Sequence, residues 1–152
     1  MSGPTPRRPS AAPLVLALRV VGAALLAGTA WIHVYLWSMG YDTIAWIGPL
    51  FLINAVAGFA LAAAVLLAPR RLLFWPAGAG ALLEIGTLAG LVLSSTVGLL
   101  GFVESTAAQY YWESVAVEAA GTVVLAVLAL SFRPVRRQVT HEDWTEPAGT
   151  AG

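Results

Sequence analysis

The sequence contains no cysteine and no lysine. Without cysteine there are no disulfides, no thiolate metal sites and no thiol nucleophile. The eight basic residues are all arginine, and eight acids balance them to a formal net charge of zero. That balance carries no polybasic signal, so nucleic acid is not an expected partner. Charge is scarce altogether. Charged residues make up 11% of the chain, against roughly 25% in a soluble domain. Several site signatures are missing as well. There is no phosphate-binding glycine loop, no paired-histidine zinc motif and no serine-centred nucleophile elbow. Ser94, Ser95 and Thr96 form a hydroxyl run with no base close in sequence. An enzyme built on this chain would work with His, Glu and Asp alone.

What is abundant is apolar. The 152 residues are 59% hydrophobic, in a chain of single-domain length. This excludes a disordered chain and argues for a small integral membrane protein. Four apolar runs are long enough to cross a bilayer, which takes about 20 residues of helix. They are Leu14 to Trp37, Ile44 to Ala68, Leu72 to Val103 and Tyr110 to Phe132. The third is longer than it needs to be, and Gly98 and Gly101 should unwind its outer end near residue 100. Helix four should start near residue 107, where Thr106 and Gln109 have capping-box spacing. The runs are continuous and rich in Ala and Leu, which are good helix formers. Barrel strands would alternate apolar and polar residues instead. The expected fold is all-α: an antiparallel four-helix transmembrane bundle over residues 14–132. Residues 1–13 and 133–152 are expected as polar or proline-rich cytoplasmic tails.

Arginine sets the expected orientation. Arg7, Arg8 and Arg19 lie before or just inside span one, Arg70 and Arg71 between spans two and three, and Arg133, Arg136 and Arg137 after span four. All eight fall on one side. The positive-inside rule makes that side cytoplasmic, with both termini there, in a cell inner membrane. Arg19 is expected to snorkel back to that interface. The other side carries Trp31, Tyr35, Trp37, Tyr41 and Trp46, then Phe102, Tyr110, Tyr111 and Trp112. These read first as an aromatic belt and only second as a ligand-stacking box. The small residues Ala27 to Ala30 resemble a signal cleavage site. Val20 to Trp37 is too long for a signal core of roughly 7–15 residues, so an uncleaved first span is expected.

Local signals punctuate the runs. Asp42 is placed to cap the second helix. Pro69 ends span two, and Pro76 sits in the first turn of span three. Gly86, Gly90 and Ser94 form a small-residue stripe of the kind that lets helices approach closely in lipid. Gly22, Gly28, Gly58 and Gly121 offer the same to other spans. His141 beside Glu142 and Asp143 reads as a solvated tail.

Ionisable residues inside a membrane cost several kcal/mol and need a reason. By helical rise, Glu84 and Glu118 lie at about the same depth, roughly 18 and 21 Å from the arginine side. Thr87 shares a face with Glu84, and Ser114 shares one with Glu118. With Asn54 they form one expected polar cluster, a candidate proton site. His33, Asp42, Glu104 and Glu113 form a second, outward-facing cluster. Three readings of the carboxyls follow. Neutral acids acting as interhelical glue is the more economical. A proton or substrate pathway is the second. A metal site is the third, although the Glu-x-x-His pair of carboxylate bundles is absent. His33, with Glu113 beside it, is the only metal or haem ligand on offer. As the lone intramembrane histidine, it cannot give bis-histidine haem ligation within one chain. No cofactor is expected. Glu113 also reads simply as a first-turn acid favoured by the helix dipole.

Trp31 to Leu36 with His33, then Gly40-Tyr41, then Ile47 to Asn54, resemble small four-helix membrane proteins of actinobacteria. Val97 to Glu104 resembles the segment after their third span. The resemblance covers about residues 20–130. It implies the topology and no substrate, and it places His33, Asn54 and Glu104 inside shared-looking motifs. DoxX-like four-helix proteins are similar in architecture only, which carries no function. The leading expectation is an accessory, structural or oligomer-forming membrane component, such as a subunit of a complex, with the lipid bilayer as partner. The alternatives are a proton-coupled transporter or small-molecule binder using Glu84 and Glu118, and a metal- or haem-dependent redox protein using His33.

Overall fold

A computed structural model describes residues 12–134. The expectations for Arg7, Arg8, Arg136, Arg137 and the His141 to Asp143 segment lie outside the described residues. Four helices carry the chain: α1 (Ala12–Ser38), α2 (Ile47–Leu67), α3 (Phe74–Thr96) and α4 (Tyr111–Ser131). All four are long and apolar enough to cross a membrane. The surface agrees with that. Leu67, Leu82, Val97, Trp46 and Ile53 are exposed, while His33, Glu84, Ser94, Ser114 and Glu118 are buried. A soluble domain would not expose so much contiguous apolar surface. The chain is a small membrane protein with several polar side chains buried in its interior.

Helix ends follow from local chemistry, and several differ from expectation. Gly40 takes the left-handed conformation at φ 119 and turns the chain out of α1, as glycine does after a helix. Tyr41 to Thr43 then form a 3-10 turn. Asp42 does not cap α2. The helix starts three residues later than expected, after Trp46 at φ 67, with no side-chain cap. The turn folds back on the helix start, so a Cβ on Gly48 would sit 2.6 Å from the Asp42 carbonyl oxygen. Pro69 and Pro76 behave as expected. Ala68 is extended before Pro69, and Pro76 lies in the first turn of α3.

Helix α3 ends at Thr96, earlier than residue 100, and unwinds around Gly98 (φ 86) and Gly101 (φ 83). Leu99 and Phe102 exchange backbone hydrogen bonds of 2.7 and 2.8 Å. Leu100 and Gly101 between them both have positive φ, the geometry of a tight mirror-image hairpin turn. The expected capping box at α4 does not form. Its helix begins at Tyr111, after Tyr110 at φ 63 and without a side-chain cap. Gln109 instead donates its side-chain N–H to the Tyr35 hydroxyl at 3.3 Å, bridging to α1.

Around the bundle the closely packed neighbours are α2–α1, α1–α4 and α4–α3, and the α2–α3 side is the loosest. Tight crossings use glycine. A Cβ on Gly58 would lie 2.9 Å from the Ala30 Cβ, and one on Gly22 would lie 2.9 Å from Leu125 Cδ2. Gly28 makes only ordinary contact, with Val117 at 3.6 Å. Lipid tails are as apolar as Leu, so such close approach, rather than hydrophobic burial, holds membrane helices together. The half of the bundle nearer Arg19, Arg70 and Arg71 is a dry plug of Leu26, Val65, Leu73, Ala77, Leu125 and Leu128. Arg19 does more there than reach the interface. Its Nε donates to Val65 O at 2.9 Å and its Nη2 donates to Ala68 O. These are carbonyls of the last turn of α2 and of its C-cap residue, which have no partner within the helix. The other half of the bundle, at the aromatic end, is not filled.

Candidate functional site

A cavity of about 360 Å³ occupies the aromatic half of the bundle. It exists because α2 and α3 stand apart and because α3 faces it with small residues. Gly86, Gly90 and Ser94, expected as a packing stripe, line the cavity instead. A Cβ on Gly86 would meet nothing within 4 Å, and one on Gly90 would have only Leu99 at 3.9 Å. At Gly86 and Gly90 the stripe leaves open space rather than a close helix contact.

The floor lies near mid-span. Thr29, Asn54, Thr87, Glu84 and Glu118 sit between seven and twelve residues from the aromatic ends of their helices, or about 10–18 Å by helical rise. Glu118 is 1% exposed and lines the cavity. Its Oε2 has no hydrogen-bond partner. Glu84 is fully buried behind it and accepts the Thr29 hydroxyl at 3.0 Å on Oε2, leaving Oε1 unpaired. Gly121, one turn after Glu118, lets the Glu84 side chain reach α4: a Cβ there would sit 2.9 Å from the Glu84 Cδ.

Hydrogen bonds orient the other floor groups. The Thr87 hydroxyl donates to Leu83 O at 2.9 Å, so its oxygen is free to accept from Asn54 Nδ2. The Asn54 carbonyl oxygen is left without a partner. On the α1 wall, His33 Nδ1 lies 2.8 Å from the Thr29 carbonyl. A carbonyl only accepts, so the ring proton sits on Nδ1. In the neutral ring Nε2 is then an acceptor, and His33 lines the cavity. Its ring lies against Phe51, with centroids 4.7 Å apart.

Both expected clusters therefore meet in one place, but not in full. Asn54, Thr87, Ser114, Glu118, His33 and Glu104 line the same cavity, with Glu84 immediately behind it. Asp42 and Glu113 do not take part. Both are exposed and neither lines the cavity. Glu113 keeps its simpler role as the first-turn acid of α4. Glu104 is engaged at the mouth. It accepts the Tyr41 hydroxyl at 2.7 Å and the Ser105 N–H at 2.8 Å, which clasps the two aromatic-end connections together. Burial pushes the Tyr41 phenol well above its ordinary value, and the neighbouring Glu104 adds to this. It stays a neutral donor at any ordinary pH. Among the described residues no group of three His, Asp or Glu side chains could hold a metal ion.

The sequence reading missed Thr29 as a floor residue and ranked the cavity role of the aromatics second. Thr29 stands one helical turn before His33, and that i, i+4 polar pair on an otherwise apolar span was the available signal. Tyr41 stacks on Phe51 at 5.0 Å and meets Phe102 edge-on at 5.8 Å. Part of the aromatic belt is thus cavity wall. No family model, curated protein or solved structure matches the chain.

Proposed function

We propose that this chain is a membrane-embedded binding protein for a small lipophilic molecule. The observation that carries this reading is the cavity itself: mostly apolar walls ending on an unpaired buried carboxyl, Glu118. Ligand sites commonly combine an apolar enclosure of this size with a few convergent polar groups. Leu82 and Ile53 both line the cavity and are 71% and 63% exposed. They mark a side opening between α2 and α3 at bilayer depth, a route for a guest already dissolved in lipid. The apolar plug below the floor argues against a continuous pore. The accessory reading gives a task to Glu84, whose bond to Thr29 ties α3 to α1, but none to Glu118. The arginine asymmetry supports a cytoplasmic plug end, so that the cavity faces the outer leaflet.

The test is ligand capture. Purified protein is incubated with a total lipid extract of its host membrane and weighed by native mass spectrometry. The Gly90→Leu variant fills the cavity and also replaces a helical glycine, so it should fold at least as well. The wild type should carry a small-molecule adduct that Gly90→Leu lacks. An adduct of equal occupancy in both, or none in the wild type, overturns the reading.

A further inference from the structure

Among the buried polar atoms left without a partner, the Thr122 hydroxyl lies outside the cavity lining, and three are amide or carboxyl oxygens around its floor. They are Asn54 Oδ1, Glu118 Oε2 and, behind them, Glu84 Oε1. With its Nδ1 proton committed to Thr29, the His33 ring in its neutral form adds an acceptor at Nε2. Several donors nearby are already used: Thr29 on Glu84, Thr87 on Leu83, and Tyr41 on Glu104. No arginine lines the cavity, and the chain has no lysine. Arg19, Arg70 and Arg71 belong to the opposite end of the bundle. The walls add the rings of Phe51, Phe102, Tyr110 and Tyr111, whose faces attract cations.

We infer that the ligand is a lipophilic amine bound as its ammonium ion. The inference rests on the binding reading above and names the chemistry of the guest. The ammonium N–H groups supply donors to these unpaired oxygens. Its charge compensates the Glu118 carboxylate, which is costly to bury alone. Its apolar body fills the space left by Gly86 and Gly90. Glu84, held by Thr29, stands behind Glu118 as a positioning residue.

The experiment compares three ligands on one skeleton, phenylbutylamine, phenylbutanol and phenylbutyrate. Binding is measured by equilibrium dialysis to the protein in nanodiscs of neutral phosphatidylcholine, with empty discs subtracted. The expected result is at least a tenfold preference for the amine over the alcohol, and no detectable binding of the acid. Glu118→Gln should erase that preference while the alcohol still binds, which shows that the cavity is intact. Glu113→Gln removes an exposed acid outside the cavity and should leave the preference unchanged. If Glu118→Gln does not fold, Asn54→Leu is used, and it should weaken amine binding at least threefold relative to the alcohol. Equal binding of amine and alcohol overturns the ligand class. If that binding is still lost in Gly90→Leu, the binding function itself stands. A preference that survives Glu118→Gln also overturns the inference. Failure of all three ligands overturns it together with the reading beneath it.

Discussion

Glu84 and Glu118 share a depth but not an environment. Glu84 is held by Thr29 and closed in by the bare backbone at Gly121, whereas Glu118 opens on the cavity without a partner at Oε2. The contact at Gly121 gives a prediction whose sign contrasts with that of a neighbour. Gly121→Ala forces the Glu84 carboxyl aside and should destabilise by about 1–3 kcal/mol, the usual cost of overpacking. Gly86→Ala meets open space and should stabilise by about 0.5–1 kcal/mol through helix propensity. Thermal unfolding of the two variants in one detergent measures the difference. Both glycines are visible in the sequence, but their opposite roles are not. One approaches a neighbouring side chain and the other faces a void, and only the packing distinguishes them.

At the level of elements, side chains from other parts of the chain finish what the helices leave open. Arg19 caps the last turn of α2 from α1. Arg19→Met keeps the apolar stem and removes the donors, and should cost about 1.5–3 kcal/mol, as for hydrogen bonds from a charged group. Denaturant titration in mixed micelles reads this loss. At the other end, Tyr41 and Glu104 join the connection between α1 and α2 to the one between α3 and α4. The phenol is held above its ordinary value, so its contribution to stability is present in full below about pH 10, the unfolded value. It is lost as pH rises from there through the elevated folded value. Tyr41→Phe should flatten that alkaline loss of stability, which pH-dependent melting of wild type and variant would show. The expected caps at Asp42 and Thr106 failed for a related reason. Each signal was local, while the 3-10 turn at Tyr41 and the bridge from Gln109 to Tyr35 were set by distant partners.

Across the whole molecule, packing is uneven by design of the helix faces. Three sides are closed, and the side between α2 and α3 is open toward the aromatic end. The hydrogen bond from Asn54 to Thr87 spans that open side. A double-mutant cycle of Asn54→Ala and Thr87→Val should give a coupling of about 0.6 kcal/mol, the average for interhelical bonds in membranes. A coupling near zero would mean that α2 and α3 are not joined there. The Asn54 change should also weaken retention of a captured lipophile in the mass-spectrometric assay, because Asn54 lines the cavity.

The number of helices, their approximate limits and the depth of Glu84 and Glu118 were determined by the sequence alone. Span length and the cost of burying charge in lipid are one-dimensional constraints, and they act on each segment independently of its neighbours. The gathering of His33, Asn54 and Glu104 around Glu118 was decided by the tertiary structure, as was the exclusion of Asp42 and Glu113. Which face of each apolar helix turns inward leaves little trace in composition when both faces are apolar. That choice depends on how glycines at 22, 58 and 121 let particular backbones meet, and on how those at 86 and 90, meeting nothing, leave a space.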